Sequence, residues 1–520
     1  MDNEEKLPVS PDDFEAYFEA TGHTAVPLKL YDPDDQRLIQ GLCAGGLLSE
    51  YKGYVTTPYV FSIENEIARK AIERVESPSL FPVVSEDRIN RYIKEYEELE
   101  GKNLGVDFHL ADYQAEAVRI AANSQLFVLT GGPGTGKTCV LKCLRYVMER
   151  TMPEADILFA APTGKAARRI TESTGEPAQT VHKLMRLQNE TDEPRQIFCD
   201  CLIVDEISML DDYVTDALFC ALQYRARLIL VGDVDQLPSV GFGSVLRDLL
   251  ESFVIPCEKL AVPQRQKSGS NLFDNITCIK NGANVLFEGE DFHVVAADDR
   301  TGKQKLLEEY LKAVDKWGID NVCCLTPYRR KGLSCANVMN DIIQDRINPS
   351  AKVPHITVFQ TDSGEDVDKD VREVTFGLGD PVIQLVNRRE IANGDVGKII
   401  AIDEAEGRLT AKYDGGVEVE YCADELDQLN LAYAMSVHKS QGSEYKCVVT
   451  SALPEHKQLL SRNMLYTAVT RAKKECVVVC DQATVKVGLK REAGYERETL
   501  LSELIAKHYR MNEALEKMAS

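Results

Sequence analysis

Leu126-Phe-Val-Leu-Thr-Gly-Gly-Pro-Gly-Thr-Gly-Lys-Thr138 reads as a short apolar strand, a glycine-rich loop and the first turn of a helix. Gly131, Gly136, Lys137 and Thr138 fill the fixed places of G-x-x-x-x-G-K-[ST], a loop that cradles polyphosphates, with Gly132, Gly134 and Thr135 inside it. Such glycines let successive backbone N–H groups curl round an anion, and the helix N-terminus adds partial positive charge at the same point. Lys137 is placed to reach the outer phosphates, and the Thr138 hydroxyl to hold Mg²⁺. Downstream, Val140, Leu141, Leu144, Val147 and Met148 recur at helical spacing. The stretch therefore predicts an α/β domain that binds a nucleoside triphosphate such as ATP.

Three further apolar runs end in polar residues. Ile157-Leu-Phe-Ala-Ala-Pro-Thr-Gly-Lys places Thr163 and Gly164 at a strand end, where α/β sheets present ligands. Cys201-Leu-Ile-Val-Asp-Glu206 supplies the second half of a nucleotide site: Asp205 to hold Mg²⁺ and Glu206 to polarise the attacking water. Leu228-Ile-Leu-Val-Gly-Asp-Val-Asp-Gln236 ends in Asp233 and Gln236, and Gln236 is placed to sense the outer phosphate. Between these runs, Thr180-Val-His182 opens a short helix, and Leu187 to Phe198 is long enough for a β-hairpin.

With 520 residues, 44% hydrophobic and 28% charged, the chain can bury roughly three or four ordinary domain cores. No apolar run approaches the roughly 18 residues a membrane span needs, and Met1-Asp-Asn-Glu-Glu lacks the charge pattern of a secretion signal, so a cytoplasmic protein is expected. The 15 cysteines lack zinc spacing and read as reduced structural thiols. A net charge of −23 does not exclude nucleic acid, because binding depends on local basic surface.

Residues 1–33 read as an acidic arm with a short helical stretch around Phe14 to Phe18. Residues 34–105 begin with helix, Gly45-Gly46 break, β-wing and helix, the pattern of a winged-helix-like module. From Phe376 to Leu429 short alternating runs are punctuated by Asn393-Gly394 and Asp414-Gly415-Gly416, which are hairpin signals and suggest a small inserted barrel. Residues 361–374 read as an acidic loop, and 483–520 as a helical tail that packs back on the rest.

Taken together, GGPGTGKT, APTGKAARR, VDEISML and GDVDQLPSVG resemble the RecD-like branch of the superfamily 1B DNA helicases. Gln264-Arg265-Gln266 resembles motif IV of that family; Leu431 to Glu444, with His438, Ser440 and Gly442, resembles motif V; and Asn463 to Lys474 resembles motif VI. Gln114, in the Leu110–Val118 helix with Asp112 as its cap, resembles the adenine-reading glutamine. The resemblance implies two RecA-like P-loop NTPase motor domains, 106–258 and 259–350 with 431–482. It further implies an SH3-like β-barrel at 351–430 and a duplex-splitting pin at 186–199.

In that frame Arg265 and Arg471 are arginine fingers in cis, and Gly442 and Glu444 lie near the nucleotide. Thr163, Gly164, His182, His438 and Ser440 are candidate strand contacts. Phe242 stands where the family often has proline, either stacking a DNA base or filling core space. The family places an aromatic before the motif IV arginine, where this chain has Gln264. Helix-hairpin-helix repeats of its longer members find little room here.

The implied activity is ATP-dependent translocation on single-stranded DNA, 5′→3′, with unwinding at a fork by a monomeric motor, assisted by a recombination or repair partner. A DNA-bound ATP switch, a subunit of a nuclease complex and an RNA helicase remain open alternatives.

Overall fold

Strands buried on both faces need continuous apolar sequence, and Leu126–Gly131, Cys201–Val204 and Arg227–Gly232 are buried at every position. The computed structural model describes residues 7–187, 192–261, 270–283, 286–361, 371–388, 391–493 and 496–519. The chain divides into two units. One comprises 1–162, 167–265 and 493–520; the other comprises 163–166 and 266–492.

The first unit is built on a six-stranded, wholly parallel sheet. Its order is Ala178–Thr180, Ile157–Ala161, Cys201–Val204, Arg227–Gly232, Leu126–Gly131, Cys257–Leu260. Cys257–Leu260 pairs with Val128 to Gly131, so the expected boundary after residue 258 moves past Leu260. Helix Asp112–Asn123 begins after Ala111, whose N–H the Gln114 side chain caps; Asp112 is its first turn rather than its cap.

Helix Pro33–Ala44, the hairpin Ser49–Tyr51 with Tyr54–Thr56, and helix Pro58–Glu76 follow the expected helix, wing and helix order. The expected acidic arm is part of the same body. Helix Pro11–Thr21 buries Phe14 and Phe18 against Val26, Ile39, Leu48, Val55 and Val60, because two aromatics four residues apart share one helical face. Helix Leu501–Ala519 returns to this unit, where Leu500, Leu501, Leu504 and Ile505 join the core of the parallel sheet. Residues 188–191 of the expected pin lie outside the described residues. Of the described remainder, Arg195 N donates to Met185 O at 2.8 Å, and Ile197 makes a parallel bridge to Leu222.

The second unit holds a five-stranded parallel sheet in the order Phe292–Ala296, Ala472–Cys480, Tyr445–Ala452, Val322–Thr326, Ala434–Ser436. The two parallel sheets fit two RecA-like domains. Beside the second lies a five-stranded antiparallel sheet of Pro381–Gln384, Val396–Asp403, Arg408–Tyr413, Glu418–Tyr421 and Leu429–Leu431, with no strand pairing between its outer members. Val382, Ile399, Leu409 and Tyr413 share one core with Leu306, Tyr310, Val322 and Cys324, which fastens the two sheets together. The expected acidic loop is partly strand: Val371–Gly377 pairs with His355–Thr361, and residues 362–370 lie outside the described set. Among the described residues no helix is long and apolar enough to cross a membrane.

Candidate nucleotide site

The sheet order explains why distant segments meet. Leu126–Gly131, Arg227–Gly232 and Cys201–Val204 are adjacent and parallel, so their carboxyl ends present the phosphate loop, the Asp233–Gln236 turn and the Asp205–Glu206 pair along one edge. A crevice beyond strand ends is where open α/β sheets bind ligands.

The phosphate loop is tightly wired. Gly134 and Gly136 adopt φ of 73° and 91°, and Gly136 caps helix Lys137–Thr151. The Thr135 hydroxyl donates to Gly132 O at 2.8 Å, and Lys137 Nζ folds back to donate to the carbonyls of Gly131 and, at 3.2 Å, Gly132. Gln114 is buried beside the loop, where its Nε2 donates to Thr135 O at 2.9 Å and its Oε1 accepts from Ala111 N at 3.0 Å. The glutamine thus braces the loop. A side-chain amide has two N–H groups and two acceptor lone pairs, so a donor and an acceptor remain for a base edge.

Glu206 stands in the left-handed region at φ 55° and ψ 37°, a conformation that costs a residue with a side chain about 1 kcal/mol. It is held there by its N–H donating to Asp205 Oδ1 at 2.8 Å and by Met209 N donating to its carbonyl. Nothing in the apolar-run pattern foretold this strained backbone. Burial and the Glu206 carboxylate push the Asp205 carboxyl up to about 6, against the pull of Lys137 and Arg169. Asp205 and the Thr138 hydroxyl are hard oxygen donors, and crowded acidic oxygens of this kind fit a Mg²⁺ ion. Asp233 is buried and accepts from Asp235 N at 3.2 Å and Gln236 Nε2 at 3.4 Å, which closes the Gln236 turn on itself.

In the second unit Arg471 is buried at 3% exposure, with its guanidinium donating to Thr467 O, Ser443 O and Thr470 Oγ1. It therefore sits beside Glu444, which pairs with Lys473 at 2.9 Å. Thr163 caps its own helix by accepting from Ala166 N. A Cβ on Gly442 would stand 3.4 Å from the Thr163 hydroxyl, so these two expected site residues are neighbours. Gly164 likewise packs closely on Ala392. Arg265 and Gln264 lie outside the described residues.

The expected strand contacts divide. His182 lies in helix Val181–Met185, and burial lowers its pKa. His438 opens a 3-10 turn. Ser440 is fully buried, and its hydroxyl donates to Val437 O. Phe242 is half-buried and packs against both the sheet core and the core around Phe14, so it fills space between them. Sequence reasoning missed a set of charges near the Gln236 turn, the buried Glu64, Asp212, Arg247 and Asp248 and the partly buried Arg497.

Two family descriptions match the chain: an AAA domain over residues 114–242 and a UvrD-like helicase C-terminal domain over residues 431–479. The ATP-dependent RecD2 DNA helicase of Deinococcus radiodurans is 33% identical over 407 residues, covering 77% of this chain and 53% of that protein. The RecBCD enzyme subunit RecD of Mycobacterium tuberculosis is 29% identical over 422 residues, covering 74% of this chain and 71% of that one. The chain thus spans about half the length of the Deinococcus relative. A crystal structure of Bacteroides Pif1 bound to single-stranded DNA matches at 18% identity and a TM-score of 0.46, over 73% of this chain and 94% of that one.

Proposed function

We propose that this chain, a relative of the RecD-like helicases, is an ATP-driven motor that moves 5′→3′ on single-stranded DNA and unwinds duplex at a fork. The observation that carries the reading is the shared edge of three neighbouring strands, where a phosphate loop, an acidic pair and a glutamine turn converge. Each strand end supplies a different part of phosphoryl transfer.

In this reading the loop N–H groups and Lys137 bind the phosphates, and Thr138 with Asp205 would hold Mg²⁺, which neutralises charge on the phosphate oxygens. Glu206 orients the attacking water and takes its proton. Gln236 senses the outer phosphate, and Arg265 and Arg471 stabilise negative charge developing in the transition state. Gly132, Gly134, Thr135, Gly136, Gln114, Gly442 and Glu444 complete the nucleotide contacts, and Thr163, Gly164, His182, His438 and Ser440 follow the strand. The antiparallel sheet at 381–431 is then an SH3-like barrel, and residues 34–105 a winged-helix-like module. Alternate closing and opening with each ATP would convert hydrolysis into stepping.

Strand displacement on matched 5′- and 3′-tailed duplexes tests activity and polarity together. The expected result is ATP-dependent unwinding of the 5′-tailed fork alone. Hydrolysis stimulated by DNA with no displacement of either fork would instead favour a switch or a subunit of a larger complex, the setting named for the mycobacterial relative.

A further inference from the structure

The loop from Ser239 to Gly243, which follows the Gln236 turn, is gripped by an arginine from more than two hundred and fifty positions later in the chain. Arg497 Nη1 donates to Ser239 Oγ at 3.1 Å, Gly241 O at 3.1 Å and Gly243 O at 2.7 Å, while Nη2 donates to Ser239 O at 2.7 Å. A planar guanidinium holds several acceptors in one fixed arrangement, which a lysine ammonium cannot reproduce.

The surroundings are shaped to admit this side chain. Gly22 adopts φ 78°, and a Cβ there would fall 2.2 Å from Arg497 Cζ, whereas its carbonyl accepts from Gly243 N at 2.9 Å. A Cβ on Gly243 would meet the Asp212 carboxyl, and Asp212 N donates to Phe242 O. The segment bearing Arg497 is itself anchored. Arg247 Nη1 donates to Arg497 O, the Thr499 hydroxyl donates to Asp248 Oδ1 at 3.0 Å, and Glu64 accepts from Leu500 N and Leu501 N.

Beneath the loop lies a small cavity lined by Ser208, Gln236, Pro238, Ser239 and Arg247. The Arg497 guanidinium adds to the bonds to Asp233 that close the turn.

We infer that Arg497 is a positioning residue for ATP hydrolysis, holding the Ser239–Gly243 loop so that Gln236 stays aligned with the outer phosphate. The inference rests on the hydrolytic reading of the Gln236 turn. A displacement of about 1 Å at such a turn costs a factor of ten to a hundred in rate.

Steady-state ATP hydrolysis at saturating oligo-dT, with the full chain, tests it. Arg497→Ala should lower kcat about tenfold with the KM for ATP within about threefold, and low-millimolar guanidinium should restore part of the loss. Arg497→Lys, which keeps the charge and gives a second route should the alanine variant not fold, should lower kcat at least about fivefold. Thr499→Val loosens the same segment without touching the loop, and should lower the melting temperature while leaving kcat within about twofold. Wild-type kcat in a folded Arg497→Lys or Arg497→Ala protein, or an equal kcat loss in Thr499→Val, overturns the inference alone. Absence of hydrolysis by the wild-type protein overturns both the inference and the function on which it rests.

Discussion

The rim of the phosphate loop and the charged junction around Arg497 both belong to the first unit, yet they handle charge in opposite ways. At the rim, Asp205 and Glu206 remain half-buried and face an edge where a cation and phosphates can compensate them. At the junction, Asp212 and Asp248 are fully buried, and Arg247 and Arg497 compensate them from within the protein. A charge intended for a ligand keeps a path to solvent, whereas a charge that orders the fold is sealed and must find its partners there. The junction is incompletely paired even so: among the described residues both Asp212 oxygens lack a hydrogen-bond partner, and burial, followed by the Glu64 and Asp248 carboxylates, holds its pKa well above the usual range.

Breaking the rim should have the largest effect. Lys137→Ala is expected to reduce DNA-stimulated ATP hydrolysis by about a thousandfold or more, at an unchanged melting temperature, because it removes charge that matters most as the phosphoryl group transfers. Retained turnover would undo the site assignment. Glu206→Gln should lose about a hundredfold in kcat while still binding nucleotide, as measured by single-turnover hydrolysis and by fluorescence of a bound analogue.

Changes at the junction should appear in stability instead. Burial and then the Asp248 carboxylate raise the Glu64 carboxyl to about 8, against hydrogen bonds from Leu500, Thr24 and Leu501. Since the folded value lies above the unfolded one, the stability held below about pH 4.5 is lost as pH rises toward 8. Asp212 and Asp248 face the same site, as do Arg247, Arg497 and His23, so the titration belongs to the group. Glu64→Gln should therefore match wild type in thermal melts near pH 5 and exceed it by several degrees near pH 8.5. A constant difference across that range would remove the raised carboxyl from the account.

The smallest effect is expected where the two regions meet. Phe242→Ala should cost about 2 kcal/mol of stability, less than for a fully buried phenylalanine, and leave single-strand affinity by fluorescence anisotropy within about twofold. Weaker DNA binding at unchanged stability would restore base stacking as its role.

These two regions also differ in how far the sequence discloses them. The rim is made of contiguous runs in which strand, turn and polar residues follow one another, so Lys137, Asp205, Glu206 and Gln236 stand out as candidates in the sequence itself. What spacing could not supply was the left-handed backbone of Glu206 or the bracing of the loop by Gln114, since each depends on the path of a neighbouring segment. The parallel sheets were legible from unbroken apolar strands. The role of helix Pro11–Thr21 was not, because its acidic composition hid two aromatic residues on one face. Ser440 and Phe242 were illegible for the opposite reason: a polar or aromatic residue in a motif suggests a ligand, and only packing reveals a hydroxyl that donates within its own turn or a ring set between two cores. Arg497 had no local signature at all, lying in a mixed-charge tail whose partners stand near residues 22, 64, 212, 240 and 248.

The return of Leu500, Leu501, Leu504 and Ile505 to the first sheet's core has a consequence for biosynthesis. The strands of that sheet leave the ribosome early, but the residues that finish its core emerge only after all of 266–492 has been made. At ordinary rates of translation the interval is on the order of ten to forty seconds. Through that time the nascent first unit carries an open apolar seam, the kind of surface that chaperones cover, and the second unit can mature while the first still waits for its closing helix.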